Sequence, residues 1–317
     1  MVHLSVKKIK GKPYLYAVKS IRLPNGKIHK LAKLIKKSAE ARSASLMNFF
    51  EQREAKLCAA FCQKYFLPFR LRGEAALEKI EQMRLDYKKI LAKLSPNQLS
   101  DLFDRFTVNF TYESNALEGN SLTLKDVAIV IRENVAIKGK ELREIYETRN
   151  SREVVGLILK RKLKVSEKDV LKMHSMLVRD MDIPVGYKTV PNYLHGRQVV
   201  TTPPEQVASM MKELFAWFEE NKKKMHPLHL ASRFHTRFER IHPFEDGNGR
   251  VGRFLINIIL VNNSYPPLII RKTQRVSYFN ALEDADNGRF QAIDQFFFER
   301  LTETHEKFFK IYVKYLK

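Results

Sequence analysis

From Ser38 to the end of the chain almost every apolar run repeats at helical spacing, and that period confines the chain to a mainly α-helical fold. Apolar residues recur three and four apart from Leu46 to about Phe66 and again from Ala75 to Leu94. Ser95 before Pro96 is an N-cap followed by proline at the first helical position, where the missing N–H costs nothing. Thr123 with Asp126, and Ser166 with Asp169, are further start signals ahead of KDVAIVIREN and KDVLKMHSML. Long helical runs follow at 140–162, 204–222, 228–241, 248–262 and 289–316. Two stretches break this period. Residues 1–37 alternate in KPYLYAVKSIRL and carry a Pro24-Asn25-Gly26 turn before KIHKLAKLI, which predicts a small basic hairpin or three-stranded sheet. The second is GYKTVPNYLHGRQVVTTPP, from Gly186 to Pro204, whose β-branched residues, His195-Gly196 turn and closing prolines predict a hairpin set into the helical part.

Charge divides the chain as sharply as periodicity does. The 317 residues carry a net charge of +22, and residues 1–37 hold 11 Lys or Arg with no Asp or Glu, half of the excess. Such a block either tracks nucleic-acid phosphates, steers an acidic partner, or is a solvated lysine-rich surface. The longest apolar run, Phe254 to Val261, is far below the ~20 residues a membrane span needs. The N-terminus lacks the apolar core of a signal peptide, so a cytoplasmic protein without a membrane partner is expected. Cys58 and Cys62, the only cysteines, lie four apart in an apolar stretch and read as small buried helix residues in a reducing compartment.

The chemistry concentrates in IHPFEDGNGRVGRFLINIIL. Gly247 and Gly249 let the backbone bend tightly and bring N–H groups close to an anion, at the positive end of the helix that follows. Arg250 and Arg253, three apart on that helix, share a face from which they can clasp successive phosphates. Asp246 is a hard oxygen ligand suited to Mg²⁺, and His242 stands where it can take a proton from an attacking hydroxyl. The spacings among His226, His229, His235 and His242 are 3, 6 and 7, with no cysteine near them in sequence, which argues against zinc. His235 reads as a packed residue or one acting through its neighbours, Glu245 as solvated surface, and Phe215, Trp217 and Phe244 as core anchors.

Taken together these residues resemble the signature of the Fic family, H-x-F-x-D/E-G-N-G-R-x-x-R, matched here by His242, Phe244, Asp246, Gly247, Asn248, Gly249, Arg250 and Arg253. The resemblance extends over roughly 105–300. Residues Lys188, Thr189, Val190, Val199, Val200 and Thr201 look like the family's flap, which holds a target segment by strand addition. Ser114 to Gly119 matches the inhibitory form S/T-x-x-x-E-G/N, with Ser114, Glu118 and Gly119 as its fixed positions.

The resemblance implies a Fic-type helical bundle with a β-hairpin flap at 101–317, an inhibitory helix at about 112–119, a helical linker at 38–100 and the basic module at 1–37. It implies transfer of AMP from ATP to a Tyr, Thr or Ser hydroxyl of a target protein, with Mg²⁺ as cofactor. His242 would be the base, Asp246 the metal ligand, and Gly247, Asn248, Gly249, Arg250 and Arg253 the nucleotide site. Glu118 would pair with Arg253 and silence the enzyme. Removal of AMP, a different donor nucleotide, or a nucleic-acid-binding regulator with a silent catalytic domain remain as alternatives. Phosphoryl transfer is disfavoured, because relatives that perform it have lysine in place of Gly249. Nucleic acid, through residues 1–37, and a second copy of the chain complete the expected partners.

Overall fold

The computed structural model describes residues 2–24, 26–73, 75–192 and 200–316. Its N-terminal part is a three-stranded antiparallel sheet, β1 (Val2–Ile9), β2 (Lys12–Arg22) and β3 (Ile28–Leu34), in that spatial order. Lys10 and Gly11, at φ 48° and 80°, form the two-residue turn that matches the right-handed twist of the strands it joins. Register runs from Val2 opposite Lys19 to Ile9 opposite Lys12, and from Tyr16 opposite Leu34 to Arg22 opposite Ile28. Alternation sends Leu15 and Ala17 of β2 to one face, where Ala17 packs with Ile35, Leu46 and Phe50. Leu46 and Phe50 belong to α1 (Ala44–Tyr65), whose Glu54 pairs with Lys19 of β2 at 2.8 Å.

Helices make up the rest of the described chain. They are α2 (Ala76–Lys93), α3 (Pro96–Leu117), α4 (Leu124–Glu133), α5 (Leu142–Leu159), α6 (Glu167–Leu177), α7 (Pro204–Asn221), α8 (Pro227–Ile241), α9 (Asn248–Asn262), α10 (Arg275–Asp286), α11 (Gln291–Thr304) and α12 (Lys310–Tyr315). The start signals act as the side-chain chemistry requires: Ser95, Thr123 and Ser166 accept from the backbone N–H groups of Gln98, Asp126 and Asp169. The run at 289–316 is two helices joined by a π turn at His305–Phe309. Helix α10 was not foreseen, although Tyr278, Ala281, Leu282 and Ala285 bury one face at helical spacing. The inhibitory helix at about 112–119 is the last turn of the longer α3, with Glu118 as its C-cap.

Helix α9 lies at the centre, against α8, α5, α3 and α6. It is buried from Arg250 through Val261, so every side of it is core. Each of its large apolar side chains contributes roughly 1.5–3 kcal/mol on burial, which fixes the axis on which the two arginines ride. Ile80, Met83, Tyr87 and Ile90 of α2 enter this same core.

One buried polar cluster ties α1, α2 and α8 together. Glu81 meets Arg84 at 2.7 Å, His226 at 3.3 Å and the Tyr265 hydroxyl, and Cys62 lies within 4.8 Å of both Glu81 and His226. The fold thus brings a cysteine beside His226 that sequence distance concealed. Burial and the neighbouring Glu81 push the Cys58 thiol up to about 11. Burial alone would raise Glu81 as well, but His226, Arg84 and Tyr265 outweigh it and hold the carboxyl at about 2.

Because the Glu81 pKa is depressed on folding, its contribution is complete above about 4.5 and is lost as pH falls towards about 2. Glu81→Gln should cost roughly 3 kcal/mol or more at neutral pH by leaving Arg84 uncompensated, and should flatten that acid limb. Urea midpoints measured across this pH range, for wild type and variant, provide the check.

Candidate active site

Helix α8 ends at His242, whose φ of 52° and ψ of 61° are left-handed, an arrangement that costs a non-glycine residue about 1 kcal/mol or more. The chain reverses there, and the half-buried His242 begins the loop that leads into α9. Phe244 is fully buried and stacks on His174 of α6, with ring centres 3.9 Å apart. Asn248 closes the loop: its Oδ1 accepts from the Phe244 N–H at 2.8 Å and its Nδ2 donates to the Phe244 carbonyl at 2.7 Å. Both ends of that amide bond to the Phe244 backbone, so Asn248, expected in the nucleotide site, also holds the loop in shape.

Gly247 adopts φ 84°, and a Cβ there would come within 3.0 Å of Leu177. A Cβ on Gly249 would lie 2.9 Å from Arg253 Nη1 and far inside contact distance of Glu118 Oε1. The Glu118 carboxylate thus occupies the notch at the start of α9, where a helix N-terminus favours an anion. Arg253 is buried and donates to the Ser114 hydroxyl at 2.9 Å, the Ser114 carbonyl at 2.8 Å and Glu118 Oε1 at 2.6 Å. The Ser114, Glu118 and Arg253 triad of the sequence is therefore a contact in space.

Arg250 is 1% exposed and lies 3.2 Å from Glu147 Oε1 and 3.3 Å from Asp246 Oδ1. Arg143, an exposed residue of α5, reaches Asp246 Oδ2 at 2.6 Å. Burial would raise the Asp246 carboxyl, yet Arg250, the Gly247 N–H and Arg143 hold it below the ordinary range, so it is ionised at neutral pH. The ionised Asp246 carboxylate is a hard oxygen ligand of the kind Mg²⁺ takes, since that ion uses few protein ligands and completes its shell with phosphate oxygens and water. Arg143, Glu147 and His174 were missed by the sequence reading. The i, i+4 spacing of Arg143 and Glu147 was visible, but nothing in it pointed to a loop a hundred residues away.

The flap is only partly within the described residues, and Val199 lies outside them. On either side, 186–192 and 200–203 run without a continuous strand. Lys188 donates its backbone N–H to the Pro243 carbonyl at 2.8 Å, and its buried ammonium to Asn192 at 2.7 Å and Thr201 at 3.1 Å. Thr189 bonds to Glu245 at 3.1 Å, so Glu245 is a tether for the flap and not solvated surface. Val190 and Val200 remain exposed. Trp217, expected in the core, is half-buried with Arg237 stacked 4.1 Å over its ring, and both line a cleft of about 760 Å³ with Val200 and Arg240. His235 is buried and bonds to the Tyr278 hydroxyl at 2.6 Å.

Residues 164–260 match the family model described as Fic/DOC. This stretch is a Fic domain. Over 189 residues, 58% of its length, the chain is 31% identical to the protein adenylyltransferase Fic of Drosophila virilis, of which the match covers 39%. The corresponding protein of Drosophila persimilis is also 31% identical, with 37% covered. The chain thus spans about two-fifths of the length of these curated relatives. Among solved structures it is similar to a Fic domain containing signaling protein from Bacteroides thetaiotaomicron, at a TM-score of 0.67 and 26% identity, covering 75% of this chain and 96% of that one. Fic-1 from C. elegans shares the fold, at a TM-score of 0.63 and 22% identity over 86% of this chain and 78% of that one.

His174 ties α6 to the Fic loop: its Nε2 donates to the Asp246 carbonyl at 3.1 Å while Nδ1 accepts from the Gly186 N–H at 3.3 Å. That pattern needs the neutral ring, and burial together with Arg250 lowers its pKa to about 4. A depressed histidine contributes stability above about 6.5 that is lost as pH falls towards 4. Titration of the ring by NMR should give a midpoint near 4, and His174→Phe, which keeps the stack on Phe244, should remove this part of the pH dependence.

Proposed function

We propose that the protein transfers AMP from ATP to hydroxyl groups of target proteins and is held inactive by Glu118. The observation that carries the proposal is the 2.6 Å pair between Glu118 and Arg253 across the N-terminus of α9, in a chain whose relatives are named protein adenylyltransferases. The triphosphate would lie along the loop, with Arg250, Arg253 and the first amides of α9 on its oxygens. His242 takes the proton from a Tyr, Thr or Ser hydroxyl as its oxygen bonds to the α-phosphorus, and the bond from that phosphorus to the bridging oxygen breaks to release pyrophosphate. Mg²⁺, held by Asp246, would neutralise charge on the phosphates. Asn248 and His174 keep the loop in the shape these contacts need, and the cleft lined by Trp217, Val200 and Ile241, the residue before His242, is the proposed approach for a protein side chain.

Glu118 holds Arg253 with a hydrogen bond between charged groups, a class worth roughly 1.5–3 kcal/mol. An arginine so held cannot also orient the terminal phosphate. Glu118→Gly should therefore raise transfer by about 10 to 100-fold, at about 1.4 kcal/mol per decade. His242→Ala should lower transfer at least ~10²-fold while leaving ATP binding intact.

Auto-modification with labelled ATP, followed by intact mass measurement, tests both statements. An added AMP in Glu118→Gly, absent when His242→Ala is combined with it, is the expected result. Equal labelling of wild type and Glu118→Gly would remove the inhibitory role. An added phosphate, or loss of AMP from a modified target, would replace the reaction itself.

A further inference from the structure

The face of the N-terminal sheet opposite α1 has its own chemistry, unrelated to the catalytic loop. Strand alternation and register place Lys7, Tyr14, Tyr16, Arg22, Lys30 and Leu34 on it together. Leu15 and Ala17 turn the other way, into the contact with α1, and Lys19 on that side is neutralised by Glu54. On the outer face Lys7, Tyr14, Arg22, Lys30 and Leu34 are exposed, and Tyr16 is half-buried. Ser5 and Leu34 stand opposite Tyr16, and Ser20 stands opposite Lys30. The Lys7 ammonium lies 5.3 Å over the Tyr16 ring. Lys7, Arg22 and Lys30 make no ion pair among the described residues, and residues 1–37 contain no acid that could supply one.

The positive charge continues beyond the sheet. Arg22, at the end of β2, opens onto a cleft of about 470 Å³ that is also lined by Arg84, Lys88, Lys222 and Lys223. Arg84 is compensated by Glu81 and Lys222 by Glu219, but no acid lines the cleft itself. A track of cations therefore leads from a face with two tyrosines, past the buried Val18, into a basic cleft at the junction with the helical part.

We infer that this face binds single-stranded nucleic acid, with bases laid on Tyr14 and Tyr16 and phosphates running past Lys7, Lys30 and Arg22 towards the cleft. Uncompensated cations alone would suit any polyanion. It is their interleaving with exposed rings that selects a ligand carrying flat bases at regular distance from its charges. Three strands spaced 4.7–4.9 Å apart give a platform about 10 Å across. In a duplex the bases are stacked on one another, and these rings would find no partner.

The test uses the full chain and fluorescence anisotropy with a labelled oligo(dT) of about 20 nucleotides, its oligo(U) counterpart and a duplex of equal length. Binding should be tighter to the single strands than to the duplex and should fall with salt, at a log–log slope near ~0.7 per phosphate neutralised. Tyr14→Ala with Tyr16→Ala should weaken binding by about tenfold or more, while Tyr14→Phe with Tyr16→Phe retains it. Lys7→Gln with Lys30→Gln should lower the salt slope by about 1.4. Each of these variants should keep wild-type melting and auto-modification. Absence of binding at low salt would overturn the inference, as would tighter binding to the duplex or indifference to both the tyrosine and the lysine changes. Capture by phosphatidylserine vesicles without capture by either oligonucleotide would overturn it too.

Discussion

Two guanidinium groups buried at the head of the most apolar helix dominate this structure. Arg250 and Arg253 are carried into the core because α9 is core on every side, and a buried cation without a partner costs several kcal/mol. The neighbouring helices meet that demand. Glu147 of α5 and Asp246 of the loop face Arg250, while Ser114 and Glu118, at the end of α3, face Arg253. The packing of α3 and α5 against α9 therefore follows from charge compensation as much as from apolar burial. It also explains how a loop of glycines and polar residues keeps one conformation: it is clamped between the arginines on one side and the Phe244 stack on the other.

Most of this architecture was legible in the sequence, because helical period and capping residues are local properties. Ser95, Thr123 and Ser166 each open a helix where the chain said they would. The signature loop was legible for a different reason, since its chemistry is compressed into twelve residues. What could not be read were pairings between distant segments. Arg143 and Asp246 are separated by 103 residues, and nothing local to either names the other. The resemblance placed Asn248 in the nucleotide site, and its two side-chain bonds to the Phe244 backbone, four residues away, emerge only from the geometry. Helix α10 escaped because no side chain caps its start, so the buried face from Tyr278 to Ala285 had no boundary signal.

Asp246 is held by positive groups on two sides. Its two oxygens are divided between Arg143 and Arg250, and the Gly247 N–H adds a third contact. Arg143 is exposed and its other partner is the buried Glu147, at 3.5 Å, while Arg250 is buried beside the same two carboxylates. The loop carboxylate is therefore neutralised from a solvent-facing side and from a core-facing side at once.

The place of Glu118 in the chain gives its pair with Arg253 a property of its own. As the C-cap of α3 it sits at the negative pole of its own helix, where a carboxylate is disfavoured by about 0.3–1 kcal/mol. Its oxygen, however, reaches over Gly249 to the positive pole of α9. The same charge is thus repelled by the helix that carries it and attracted by the helix it touches. Displaced from α9, it keeps the repulsion and loses the attraction, so withdrawal is uphill by itself and becomes downhill only when another anion takes over the vacated pole.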